Sequence, residues 1–228
     1  MIFNVFYTEN IPKQILEDHK KCCDKFGLEV VYHTYPEFTD YDEVYSAHGN
    51  FMTSILEKGE EEVTCFLDID CLPYNIDVFK SAYKWARDNN SFVGNAQNIS
   101  HTILKNHIYA AASCLFVSKK AWKTLGSPSL SWFVQDGKQV DTAQILTLRA
   151  DQIGMDYQLM YPIGWDEGEG YKLGAYGKYG TGTLYPGTWH YFRISKFKNE
   201  IPNLWTKTVN SIITNKDIIP NYSSIFYD

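Results

Sequence analysis

Residues 63–73, Val-Thr-Cys-Phe-Leu-Asp-Ile-Asp-Cys-Leu-Pro, carry the side chains of this chain best suited to chemistry. An apolar, β-branched and aromatic run ends in two carboxylates one residue apart, Asp68 and Asp70. Carboxylates paired in a low dielectric repel and resist ionisation unless a cation or hydrogen-bond donors neutralise them. In an extended strand, residues i and i+2 share a face, so a strand that is just ending presents both to one ion. At the carboxyl end of a parallel strand they stand where open α/β sheets bind ligands. A divalent metal carrying a phosphorylated ligand suits such a pair. The competing reading is turn chemistry, with Asp70 capping the segment that follows at Leu72-Pro73.

The elements around this pair set its place. Residues 2–7 read as a buried strand, and Ile11-Pro12 opens a helix that runs to Phe26 and is ended by Gly27. Residues 28–33 read as a second strand. From Tyr41 to Lys58, Val44, Ala47, Phe51, Ile55 and Leu56 recur at helical spacing, and Gly59 closes the helix. The acid-ended strand comes third, followed by an amphipathic helix over 76–88 with Ile76, Phe79, Tyr83 and Trp85. Such β-α-β-α-β-α alternation belongs to a doubly wound α/β sheet. Beyond it lie a short strand at 91–94, a buried run at 108–118, a short helix around Trp122, a helix over 141–153, a strand at 157–161 and a helix around 201–214. Eight of the 15 glycines fall within residues 164–187, interleaved with Trp165, Tyr171, Tyr176, Tyr179 and Tyr185. Glycine confers backbone freedom, so the segment reads as a mobile loop: a lid over a ligand, or a plain surface excursion.

Bulk composition limits the function classes. At 228 residues, 44% hydrophobic and 21% charged, the chain suits one globular domain. The expected division is a nucleotide-binding half over about residues 1–95 and a second half over about 96–228. A formal net charge of −6 argues against nucleic acid or anionic membrane as partner. Lysines outnumber arginines 18 to 3, a coding bias of AT-rich genomes, viral or microbial, that says nothing of chemistry. Five cysteines without CxxC spacing point to reduced thiols and a cytoplasmic setting. No signal-peptide pattern, no apolar run of membrane-spanning length and no obligate protein partner is evident. P-loop, G-x-S-x-G and zinc-ligand spacings are absent from the sequence.

The string Phe-Leu-Asp-Ile-Asp-Cys-Leu-Pro resembles the DxD region of GT-A fold nucleotide-diphospho-sugar glycosyltransferases. Residues 108–118 with the small helix after them are similar to the strand lining the donor-sugar pocket. Asp141-Thr-Ala-Gln is similar to the acidic position near the acceptor, and Thr188-Trp-His-Tyr-Phe to the late histidine that completes the metal shell. The resemblance implies a single-domain α/β GT-A fold, with a mixed central sheet and helices on both faces. It implies Asp70 as principal metal ligand, Asp68 at the ribose or reaching the metal through water, and His190 as third protein ligand. Oxygen ligands with one imidazole suit Mn²⁺ and tolerate Mg²⁺. The implied partners are a UDP- or GDP-sugar donor and a carbohydrate or other hydroxyl acceptor. Tyr7, Thr8 and Tyr35 would face base and ribose, and Arg193 or Lys196 the diphosphate.

Asp141 carries two readings. Asp-x-x-Gln ahead of Ile145, Leu146 and Leu148 is a capping box. Facing an acceptor, its carboxylate would orient or deprotonate a hydroxyl. Asp136, Asp166, Glu167 and Glu169 are rival carboxylates, and the Glu-Asp pair of inverting family members is absent. Two other enzyme classes compete. A haloacid-dehalogenase-like phosphatase needs Thr or Val where Leu72 stands and carries its motif on the first strand. A nucleotidyltransferase of related fold carries a glycine-rich loop after that strand, and Tyr-Thr-Glu-Asn-Ile-Pro is not one. A lectin-like module fits the aromatics but not the acidic pair.

Overall fold

The computed structural model describes residues 1–36, 41–98, 107–135, 137–165, 170–173, 178–192, 194 and 201–215. Its first third follows the periodicity of the sequence. β1 (Ile2–Thr8) buries Phe3 and Val5 on one face and Phe6 on the other. α1 (Lys13–Lys25) opens behind Pro12, whose fixed φ suits a helix start, and ends where Gly27 adopts φ +62°. β2 (Glu29–Tyr35) then pairs parallel with β1. α2 (Tyr41–Lys58) leads to β3 (Val63–Leu67), buried at every position and parallel to β1. β4 (Cys71–Pro73) follows at once. α3 (Ile76–Asp88) is capped by Asn75, whose side chain accepts from the Asp77 N–H.

Beyond α3 the sheet direction changes. β5 (Phe92–Asn98) runs antiparallel to β6 (Ile108–Ser118), which is in turn antiparallel to β3. β9 (Gln158–Met160) extends the edge parallel to β5, giving the order β2-β1-β3-β6-β5-β9. The central sheet is therefore mixed. α1, α3 and α6 (Asn203–Thr214) cover one face, packing Ile15, Phe79, Trp205 and Val209 into its core. α2, α4 (Lys119–Thr124) and α5 (Gln144–Ile153) cover the other with Met52, Trp122, Leu146 and Ala150. A small hairpin, β7 (Phe133–Gln135) with β8 (Lys138–Val140), precedes α5 and has no counterpart in the sequence reading.

The largest departure from expectation is at 164–187. Its described residues form strands, not a mobile loop: β10 (Gly164–Trp165), β11 (Gly170–Lys172) and β12 (Lys178–Leu184), followed by β13 (Thr188–Tyr191). β10, β12, β13 and β4 make a second, antiparallel sheet, with β11 also on β12. Here the glycines serve geometry. Gly182, at φ +73°, sits in the register shift between Thr181 and Thr183. At Gly187 an added Cβ would come within 2.8 Å of the Phe79 ring, so the β12–β13 turn rests on α3. The strands were hidden because their partners lie far away in sequence: Leu72 pairs with Trp189.

Candidate metal centre

The two acids lie in the turn that joins the two sheets. β3 ends at Leu67, so Asp68 and Asp70 are not in extended strand as expected, but at the first and third positions of the tight turn Asp68–Cys71. The Cys71 N–H donates to the Asp68 carbonyl at 3.0 Å, closing it. The Asp68 N–H donates to Ser113 O on β6 at 3.0 Å, and the Tyr191 N–H donates to Asp70 O at 2.8 Å. Main-chain bonds from both sheets thus hold the turn. Pairing of β4 with β13 sets His190 opposite Cys71. Its Nε2 lies 3.2 Å from Asp70 Oδ1, and ligand atoms of Asp68, Asp70 and His190 fall within 4.8 Å of one another.

The electrostatics of this trio call for a cation. The Asp68 and Asp70 side chains are 25% and 15% exposed and that of His190 2%. Burial raises the Asp68 carboxyl, Asp70 and Asp141 raise it further, and His48 and His190 offset part of this. For His190, burial opposes the charged ring, but Asp70 beside it and Asp68 beyond outweigh that and hold it above the ordinary histidine value. Each charge is thus tolerated only through its neighbours. A divalent ion among two carboxylates and an imidazole would replace the proton on His190 and neutralise both acids. Such a donor set fits Mn²⁺ or Mg²⁺. His190 Nδ1 is buried without a hydrogen-bond partner among the described residues, which leaves it to carry the ring proton when Nε2 is a ligand.

His48, on α2, was not singled out in the sequence. Its Nε2 stands 3.5 Å from Asp68 Oδ1 and its ring packs 5.5 Å from Phe6. The available signal was its place in the stripe 44-48-51-55, where a titratable residue interrupts an apolar helix face.

Asp141 is not the helix cap that its spacing suggested. α5 starts at Gln144, after Ala143 at φ +65°. Gln144 Oε1 accepts from the Asp141 N–H at 2.9 Å, which is one half of a capping box. The carboxylate instead accepts from Tyr109 Oη at 2.5 Å, and its charge is among those raising Asp68. Burial, then Asp141, pushes the Tyr109 hydroxyl well up, so it stays a donor. Gln144 in turn donates to His107 Nδ1 at 3.0 Å, and His107 Nε2 meets Asp151 at 3.3 Å. A chain of bonds from α5 and β6 thus orients Asp141.

The residues expected at the nucleotide divide between two faces. Thr8 and Tyr35 are paired in register at the ends of β1 and β2, and Tyr35 stacks on Phe51 with ring centroids 5.9 Å apart. Phe6 stacks on His33 at 4.9 Å on the same side, so this aromatic group adjoins His48 and Asp68. Tyr7 points to the other face, edge-on to Tyr32 at 6.3 Å. Arg193 and Lys196, with Asp136, Asp166, Glu167 and Glu169, lie outside the described residues. Between the sheets runs a buried polar seam. Asn95 Nδ2 donates to Ser113 Oγ at 3.3 Å and Thr188 Oγ1 at 3.2 Å, and Gln97 Nε2 donates to Ser113 Oγ at 3.1 Å. All five cysteines are free and buried, and no described helix is long and apolar enough to cross a membrane.

No protein-family model and no curated protein matches the chain. Solved structures do. A glycosyltransferase involved in glycosylation of the major capsid of PBCV-1 matches with a TM-score of 0.36 at 14% identity, over 54% of this chain and 63% of that one. A mutant Drosophila β1,4-galactosyltransferase 7, in complex with manganese, UDP-Gal and xylobiose, matches at 0.39 and 11% identity, over 69% and 64%. The glycosyltransferase GlyE of Streptococcus pneumoniae, in its apo form, matches at 0.38 and 11%, over 69% and 44%. The chain thus spans less than two thirds of the length of each. A likeness this distant leaves the chemistry to be argued from the site.

Proposed function

We propose that this chain is a divalent-metal-dependent glycosyltransferase that moves a sugar from a nucleotide-diphosphate donor, a UDP- or GDP-sugar, to a hydroxyl acceptor. The observation that carries this reading is the convergence of Asp68 and Asp70 with His190, 120 residues beyond Asp70 in sequence, within 4.8 Å at the junction of two sheets. Asp70 and His190 would hold Mn²⁺ or Mg²⁺ directly, and Asp68 would bind it or orient its water. Bound there, the ion would offset charge on the departing nucleoside diphosphate.

The chain's own residues supply the rest. His48 Nε2 stands 3.5 Å from Asp68 Oδ1, where it would orient that carboxylate. Phe51, 39% exposed and backed by the buried Tyr35, and His33, backed by the buried Phe6, would offer aromatic faces to a nucleobase. Asp141, held by Tyr109 Oη, is the acid best placed to orient or deprotonate an acceptor hydroxyl. Arg193 and Lys196 remain candidates for the diphosphate on their sequence position alone.

The test is donor hydrolysis and transfer by the purified chain, with UDP- and GDP-sugars in Mn²⁺, Mg²⁺ or EDTA. The proposal expects metal-dependent release of nucleoside diphosphate, lost in Asp70→Ala while the fold is retained. Metal-dependent release of phosphate from simple esters, with no nucleotide product, would sink it in favour of a phosphatase.

A further inference from the structure

The register of the central sheet slips beside the metal turn. On β5, Gly94 pairs with Leu115 of β6 but Asn95 pairs with Ala111, so Ala112, Ser113 and Cys114 bulge out of that pairing. The Asp68 N–H donates to the carbonyl of the bulged Ser113 at 3.0 Å. The bulge therefore carries one end of the turn, and whatever holds the bulge bears on where the two carboxylates stand.

Asn95 holds it. The residue is fully buried where three strands meet. Its Nδ2 lies 3.3 Å from Ser113 Oγ on β6, 3.2 Å from Thr188 Oγ1 on β13 and 3.8 Å from Cys71 Sγ on β4. A hydroxyl both donates and accepts, so the contacts with Ser113 and Thr188 hold whichever way the amide is turned. Gln97, also buried, donates to the same Ser113 Oγ at 3.1 Å. Thr188 stands two residues before His190 and so shares its face of β13. One amide thus touches the residue that closes the turn, the residue the turn hangs on, and the strand of the third ligand. Its other polar atom, Oδ1, is buried with no hydrogen-bond partner among the described residues. An unpaired buried carbonyl is costly, and a leucine of like shape would fill the space without it. What the amide adds over such a filler is the bond between the two hydroxyls.

We propose that Asn95 is a positioning residue for the metal centre: its amide, bonded at once to Ser113 and Thr188, fixes the spacing between the turn that carries Asp68 and Asp70 and the strand that carries His190. The inference rests on the metal reading of those three residues. A cation held by all of them needs their spacing kept to within about 0.5 Å. The pairing of β4 with β13 sets which residues face each other. Asn95 braces that pairing from the central sheet, and β5, which supplies no ligand, gains a share in the cation affinity.

The probe is Mn²⁺ alone, followed by calorimetry on the full chain and on Asn95→Leu, Thr188→Val and Thr188→Ser. Valine keeps the shape of Thr188 without its hydroxyl, and serine keeps the hydroxyl without the methyl group. Asn95→Leu and Thr188→Val are expected to lose about tenfold in Mn²⁺ affinity, with Thr188→Ser within about threefold of wild type. Because both substitutions break one bond, the double variant Asn95→Leu/Thr188→Val should bind within about threefold of Asn95→Leu. Packing alone would reverse the order of the two Thr188 variants. Thr188→Val binding as wild type, Thr188→Ser as weak as Thr188→Val, or losses that multiply in the double variant overturn the proposal. Should Asn95→Leu fail to fold, the two Thr188 variants decide by themselves. A wild-type chain that binds no Mn²⁺ overturns the metal reading instead, so the two failures are distinct.

Discussion

Replacing Asp68 by Asn should stabilise the metal-free protein and blunt its response to metal. Ligand atoms of Asp68 and Asp70 lie within 4.8 Å of each other. Two unit charges at that separation repel by about 3.5 kcal/mol at an effective dielectric near 20 and by about 0.9 kcal/mol at that of water. The Asp68 side chain is 25% exposed, and His48 and His190 return part of the repulsion. The net gain from Asp68→Asn is then about 1–2 kcal/mol, or about 2–8 °C in Tm for a domain of this size. The sign follows from linkage. The raised Asp68 carboxyl binds its proton more tightly folded than unfolded. Metal-free stability of the wild type therefore declines as pH rises from the ordinary carboxylate value through the raised one, and Asp68→Asn removes that decline. Thermal unfolding in EDTA across this range measures both. Saturating Mn²⁺ at about a hundred times its dissociation constant should then add about 2.7 kcal/mol to the wild type and markedly less to the variant. A lower metal-free Tm for Asp68→Asn, or an undiminished Mn²⁺ response, would refute the reasoning.

Three further outcomes are expected. Tyr109→Phe removes the hydroxyl that holds Asp141, and transfer should fall at least about tenfold with nucleotide binding retained; unchanged turnover would remove Asp141 from the acceptor side. Because His190 holds its proton above the ordinary histidine value, Mn²⁺ must displace that proton, so affinity should strengthen as pH rises through and above 6.5. A flat affinity profile in calorimetry would contradict its role as a ligand. Gly187→Ala should cost about 1–3 kcal/mol in denaturant unfolding, because its Cβ would meet the Phe79 ring at 2.8 Å; a neutral result would mean that the β12–β13 turn does not rest on α3.

How far the sequence reaches follows from the range of its signals. α1, α2 and α3 are legible because apolar residues recur at helical spacing, and Pro12, Gly27 and Gly59 mark ends of the first two. β6 is legible as a buried run, but nothing within Ile108–Ser118 states that it lies antiparallel to β3, since that direction is set by its connections. The second sheet was missed because each of its strands is short or glycine-rich and becomes a strand only through pairing at a distance, as Leu72 does with Trp189. At the site, Asp68 and Asp70 are legible from charge at the end of an apolar run, and His190 from a family resemblance. His48 is a single histidine on a helix, and only the packing of α2 brings it to the turn. The Asp141 spacing matched a cap, and Tyr109, 32 residues away, claims the carboxylate instead.

The central claim is that one divalent cation sits among Asp68, Asp70 and His190 and carries a nucleoside diphosphate. Anomalous diffraction at the manganese edge, from crystals grown with Mn²⁺ and UDP or GDP, tests it directly. A single anomalous peak bonded to Asp70 and His190 and touching both phosphates is the result predicted. A nucleotide bound with no manganese at these residues, or manganese bound elsewhere, would contradict it.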